Sequence, residues 1–487
     1  EGDITTWHSF SAFQIFTGDV TGNEIKDFKI SNVEWGSNIA DDAAAFLDQL
    51  KSADTIGHLF TKANSAQDVL EVISQWNNSD ANSIAFARFV CHYLYPDATA
   101  KPKPAVEGGG GSNFLHFDKA GYYLVVDTTP FNPGDFDHAY NSFLLMVTHE
   151  NWNVPITPKA EKPSVKKEVF DNFDNQDGTS TGVFGSSADH AINEKFQFKL
   201  TATLPASTDH AYDYYDTYAV CFNDTLSAGI TFDNLDTVEI ANVDGSDPKE
   251  ITNYTLVKDL HEAGLPSSIK LSIDNVKTAG LNLNDGATIT VTYTAHLNDK
   301  AYVNTGSGST ENKNSVQLQY SNNPRPGDYW GTTPKSEVYV FTYQLNNTKY
   351  HDDDNPNNVL AGAGFRLYSD KACTQEVKLY QKDNFYFPIK DATDKDKNPV
   401  LMISGQDGQF NVKGLDAGTY YLKETNPPTD YNACADKEIV ISATHDVNHV
   451  DLNGSTLSTT IINKKTGGIT LPSTGGIGTT IFYVVGG

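Results

Sequence analysis

Two lysines fall where strand alternation points a side chain into a core. In Val165-Lys166-Lys167-Glu168-Val169 a period of two places Lys167 on the face of Val165 and Val169. Phe341, Tyr343, Leu345, Asn347 and Lys349 share a face in the same way, ending on a second inward lysine. Each lysine has an asparagine far downstream at the end of a strand. Val316, Leu318, Tyr320 and Asn322 share one face, and Asn463 closes Thr460-Ile461-Ile462-Asn463. An ammonium in an apolar core is so costly that it must pair, deprotonate or react. Burial lowers a lysine's pKa and raises a carboxylic acid's, which leaves a neutral amine beside a protonated acid. Such an amine can attack a carboxamide carbon while the acid polarises the carbonyl and shuttles protons. The product is a Lys–Asn isopeptide bond, with loss of ammonia.

The elements that would position these residues are mostly strands. Tyr 24 and Phe 26 against Met 2, with many Thr and Val, favour strand, while Gly 37 and Pro 20 supply turns. The 487 residues exceed what one core can organise, and three domains are expected. The first, residues 1–158, is β-rich and carries helices. Ala43, Phe46, Leu47 and Leu50 repeat at helical spacing, as do Ala66, Val69, Leu70 and Ile73, and Phe86, Phe89, Val90 and Tyr93. Ser65 with Asp68 makes a capping box for the second helix. Residues 159–330 and 331–466 read as strand and turn, with the Pro324-Arg325-Pro326-Gly327 cluster as the boundary, and 467–487 form a Gly-rich tail.

Gly418-Thr419-Tyr420-Tyr421-Leu422-Lys423-Glu424-Thr425, followed by Pro427 and Pro428, resembles the E-box of the collagen-binding-protein B-type domains of Gram-positive pilins. Leu360-Ala361-Gly362-Ala363-Gly364-Phe365 resembles the same domain's second strand. Asp224-Thr225-Leu226-Ser227-Ala228-Gly229, with Tyr320-Ser321-Asn322-Asn323-Pro324, is similar to the fimbrial isopeptide domain. The resemblance implies immunoglobulin-like β-sandwiches, Glu424 as acid for a Lys349–Asn463 bond, and Asp224 as acid for a Lys167–Asn322 bond. Strand phase alone sets aside Lys166 and Asn323. The first segment resembles these pilins through Ala12-Phe13-Gln14-Ile15-Phe16-Thr17-Gly18, but its opening strand has no lysine, so no bond is expected there.

Near the C-terminus, Leu471-Pro472-Ser473-Thr474-Gly475 reads as an exposed turn and resembles the sorting signal of sortases, the transpeptidases of Gram-positive surfaces. The apolar run Ile477 to Val485 after it falls short of the roughly 20 residues a membrane span needs. Trp152 to Ala160 lies where shaft pilins carry the lysine that accepts a sortase-bound threonine. Thr157-Pro158-Lys159-Ala160 keeps the Pro and Lys of that motif, so the role passes to Lys159, with Lys162 as fallback. The implied protein is the major shaft subunit of a sortase-assembled, cell-wall-attached extracellular pilus, supporting adhesion. Its partners would be a pilus-specific sortase, identical subunits, tip and base pilins, peptidoglycan through a housekeeping sortase, and a host or neighbouring-cell surface. The alternative is a wall-anchored adhesin or accessory pilin that does not polymerise.

Composition narrows the other classes. A net charge of -27, from Lys+Arg 35 and Asp+Glu 62, opposes nucleic-acid binding. The sequence contains no HExxH, P-loop or GxGxxG pattern, so catalysis beyond the self-directed bonds is not expected, nor is a cofactor. Cys373 and Cys434 fall in one domain and could pair, whereas Cys91 and Cys221 sit in apolar runs. No metal site is expected. Asp352-Asp353-Asp354-Asn355 and the stretch from Asp171 to Gly178 are oxygen-rich loops without EF-hand spacing, and His445 and His449 lack a third ligand in view.

Overall fold

The structure is a computed structural model. It describes residues 8–21, 29–77, 80–108, 114–129, 142–148, 152–156, 162–172, 182–261, 265–325, 330–390 and 397–466.

Alternating apolar residues build a mainly β protein of three consecutive domains. In the first, the long strand Phe10–Thr21 pairs with Lys29–Trp35 on one side and Gly121–Asp127 on the other. Three helices, Ala43–Lys51, Ala66–Ile73 and Ala81–Leu94, lay apolar stripes on one face of this sheet, around Phe13, Phe46, Phe60 and Phe86. Ser65 caps the second helix by accepting from the Asp68 backbone N–H at 3.2 Å, and the Asp68 carboxylate accepts from Asn64 N at 2.7 Å. The other sheet face is covered by a two-stranded antiparallel ribbon of Phe114–Phe117 with Trp152–Pro155.

The middle domain is a sandwich of two sheets. One runs in the order Ser187–Asp189, Ser336–Phe341, Lys313–Ser321, Val220–Leu226, Ser267–Ile273, Thr255–Asp259. The other runs Lys249–Glu250, Ile230–Asn242, Ala287–Leu297, Lys195–Leu204, Ser164–Asp171, Val183–Gly185. Alternation is near complete in Lys195–Leu204 and Ala287–Leu297, whose inward residues, among them Phe198, Leu200, Val291 and Tyr293, form the core.

The boundary expected at 330 falls too early. Trp330–Thr332 and Ser336–Phe341 both pair with Lys313–Ser321, so they belong to the middle sandwich. The Pro-Gly cluster therefore falls, in sequence, between two strands of one sheet, Lys313–Ser321 and Trp330–Thr332. The C-terminal sandwich starts at Tyr343, with a single residue, Thr342, between it and Phe341. One sheet orders Leu379–Lys382, Phe385–Pro388, Val412–Leu415, Tyr343–His351 and Ser458–Asn463; the other orders Glu376–Val377, Gly364–Tyr368, Gly418–Asn426 and Lys437–Ile441. First and last strands lie side by side and parallel, with Lys349 opposite Ile461 and His351 opposite Asn463. Tyr380 and Phe387 of this domain pack into the middle domain's core.

Candidate functional site

Among the described residues, the buried lysines are Lys167, 2 % exposed, and Lys349, fully enclosed. Each sits in a polar cluster inside one of the two sandwiches.

In the middle domain Lys167 comes from Ser164–Asp171 and faces the opposite sheet. Its Nζ donates to Asp224 Oδ2 at 2.6 Å and to the Tyr293 hydroxyl at 3.0 Å, and Tyr293 donates its own proton to Asp224 Oδ2 at 2.7 Å. The rings of Phe198 and Tyr293 lie 5.0 and 5.1 Å from the Nζ. Burial pulls the Lys167 amine down to about 8, against the opposing pull of Asp224, so about a tenth of it is neutral at pH 7. Burial, reinforced by Asp224, pushes the Tyr293 phenol well up, so it remains a proton donor.

The asparagine at this cluster is Asn314, not the expected Asn322. Asn314 Nδ2 donates to the Tyr293 hydroxyl that also accepts from Lys167. Strand register gives the reason. Val316 lies opposite Asp224 and Tyr320 opposite Val220, so Asn322 is six residues along the strand from the Asp224 level. At about 3.3 Å per residue that is roughly 20 Å, beyond any side chain's reach. Asn314 shares the inward face of Val316, Leu318 and Tyr320 and is fully buried. Alternation identified the face but not the depth. Tyr293 was also passed over, although the alternation through Ile289 and Val291 points it inward.

In the C-terminal domain the three expected residues come together. Lys349 Nζ donates to Asn463 Oδ1, Asn463 Nδ2 donates to Glu424 Oε1 at 2.8 Å, and Lys349 Nζ lies 3.9 Å from Glu424 Oε2. The Cys434 backbone N–H fixes Glu424 by donating to Oε2 at 2.8 Å. Lys349 and Asn463 belong to the parallel first and last strands, while Glu424 projects from Gly418–Asn426 of the facing sheet. Burial lowers the Lys349 pKa, with Glu424 opposing.

Cys373 and Cys434 are both free thiols, which corrects the expected pairing. Cys373 sits in a turn at φ 53° with its sulfur 3.8 Å from Asp436 Oδ2. Cys434 packs against the C-terminal core beside Glu424, where burial pushes its thiol up to about 12. His445 and His449 occupy opposite strands of a hairpin. Lys162 is partly buried; Lys159 and Leu471 to Gly475 lie outside the described residues.

Residues 346–456 match the SpaA prealbumin-like fold domain. A curated relative, the trypsin-resistant surface T6 protein of Streptococcus pyogenes serotype M6, is 24 % identical over 286 residues, covering 55 % of this chain and 45 % of the relative. The chain thus spans less than half the length of that relative. The solved T6 backbone pilin of serotype M6 Streptococcus pyogenes, described as a modular three-domain structure, aligns over 95 % of this chain and 97 % of its own, with TM-score 0.50 and 16 % identity. The full-length major pilin SpaD of Corynebacterium diphtheriae aligns over 96 % and 93 %, with TM-score 0.43 and 16 % identity.

Proposed function

We propose that this chain, homologous to the streptococcal T6 surface protein and carrying a SpaA prealbumin-like domain, is the major shaft subunit of a covalently polymerised Gram-positive pilus. The observation that carries the reading is the recurrence of one cluster, a buried lysine with a carboxyl group and an asparagine, in two consecutive sandwiches. Buried ionisable groups arranged this way suit a single self-directed reaction better than turnover on a substrate.

In each cluster the neutral lysine Nζ attacks the asparagine Cγ. The acid, Asp224 or Glu424, protonates the carbonyl oxygen and takes a proton from the attacking nitrogen. Collapse expels the carboxamide nitrogen as ammonia and leaves an Nζ–Cγ amide. The bonds are Lys349 to Asn463 and, on the geometry above, Lys167 to Asn314. Asp224 Oδ1 and Asn314 Oδ1 are both buried without a hydrogen bond, and a proton carried by Asp224 toward that carbonyl would satisfy both. The middle bond would join the two sheets and the C-terminal bond the first and last strands.

Polymerisation rests on the sequence. A sortase would cleave between Thr474 and Gly475, hold the threonine as a thioester and pass it to Lys159 of the next subunit, giving a head-to-tail contact that does not close. A housekeeping sortase would fix the base to peptidoglycan, tip and base pilins would complete the fibre, and the pilus would support surface adhesion.

Intact mass tests the internal bonds. The full chain should weigh less than its sequence by about 17 Da per bond, the mass of ammonia, for two bonds. Asn314→Ala should restore one deficit and Asn322→Ala neither; a mass equal to the plain sequence would sink both bonds. For the fibre, cell-wall extracts should give a boiling-resistant ladder that Lys159→Ala collapses. A ladder unchanged by that variant would move the role to another lysine, and a monomer band alone would favour an adhesin that does not polymerise.

A further inference from the structure

At the junction between the middle and C-terminal domains two buried carboxylates meet one histidine. Asp171 ends the strand Ser164–Asp171 and is 2 % exposed; Asp189 ends Ser187–Asp189 and is 7 % exposed. The hairpin of Ala443–Asp446 with His449–Leu452 reaches across from the C-terminal domain, held to the middle one by paired backbone bonds between Gly308 and Val450. It brings His445 onto both carboxylates. His445 Nε2 lies 3.3 Å from Asp171 Oδ2 and 3.9 Å from Asp189 Oδ1. Neither Asp171 oxygen accepts a hydrogen bond of good geometry, although both are buried and Oδ2 lies against His445. A buried carboxylate without hydrogen bonds is costly and calls for a compensating charge.

We propose that Asp171, Asp189 and His445 bind a divalent metal ion of the zinc class, clamping the two domains together. One ligand atom from each residue lies within 4.8 Å of the others. Zinc bonds of about 2.0–2.2 Å at tetrahedral angles set donor atoms about 3.3–3.6 Å apart, so the donors would close by roughly 1 Å at most around the ion. The surrounding contacts already orient the donors. His445 Nδ1 is hydrogen-bonded to Ser187 Oγ at 2.8 Å, which turns Nε2 toward the carboxylates, and Phe341 stacks on the ring at 5.8 Å. Asp189 Oδ2 accepts from the Tyr343 hydroxyl at 2.9 Å, leaving Oδ1 for the metal. Outer contacts of this kind hold metal ligands in position. One imidazole with two carboxylates suits zinc better than calcium, which takes six to eight oxygens. The nearby triplet of His190, Glu194 and Asp416 has its own cation, Lys390, 3.1 Å from Glu194, so the metal is assigned to the first. Sequence spacing hid the site because Asp171 and His445 lie in different domains.

The test does not depend on polymerisation. The full chain, refolded with Zn2+ and passed through metal-free buffer, should carry about one zinc by elemental analysis, with nitrogen and oxygen ligands by X-ray absorption. Asp171→Asn and His445→Gln should lower zinc affinity by at least about tenfold with the circular dichroism spectrum unchanged. His449→Gln should bind as the unaltered chain does. A metal-free protein, meaning His445 serves only as an ion-pair partner, would overturn the proposal; so would sulfur ligation, or full zinc content in Asp171→Asn.

Discussion

A lysine whose folded pKa lies below its unfolded one makes stability rise with pH, as a salt-bridged carboxylate does, but in an alkaline window rather than an acidic one. Lys167 is held near 8 by burial, while an exposed lysine titrates near 10.5. Between those values the unfolded chain binds more protons, so stability rises with pH across the window and levels off above it. Asn314→Ala leaves the amine unreacted beside Asp224 and Tyr293, and denaturant unfolding of this variant should show a gain of roughly 3 kcal/mol from pH 8 to 10.5. A flat profile would mean that the amine is not desolvated. Lys167, Lys349 and Asn463 were legible because alternation fixes which face a residue occupies. Asn314 was not, since Asn314 and Asn322 share that face and only cross-strand register separates them. The cysteine pairing failed for a related reason: membership of one domain does not aim two sulfurs at each other.

The three helices of the first domain were legible in their apolar spacing and one cap, and the sandwiches in their alternation. The domain boundary was not, because a Pro-Gly cluster reads the same between strands as between domains. At that junction Ile192 N donates to the Gly414 carbonyl at 2.9 Å, and Gly414 adopts φ +81°. A Cβ there would meet three Ile192 side-chain atoms at 2.5–2.6 Å. Gly414→Ala therefore combines left-handed strain with a clash against the middle domain, and should destabilise by more than about 1 kcal/mol. Calorimetry should show the loss in the transition of the C-terminal domain while the helical domain's is unmoved; equal shifts in both would refute a local effect.

Across the whole molecule, proteolysis reports on the same bonds, because a protease needs an opened chain. With both bonds formed, the two sandwiches should resist trypsin at concentrations that digest the Asn314→Ala, Asn463→Ala double variant; equal digestion would show that packing alone protects the chain. The helical domain, with no buried lysine among its described residues, should be cut at the same rate in both proteins. The parallel pairing of the first and last C-terminal strands carries a mechanical meaning as well. Lys349 and Asn463 enclose 114 residues of sequence separation. Pulled straight, such a segment would lengthen the protein by roughly 400 Å. A bond between those two side chains withholds that slack from any pulling force, so a fibre of such subunits would behave as a rope of fixed length.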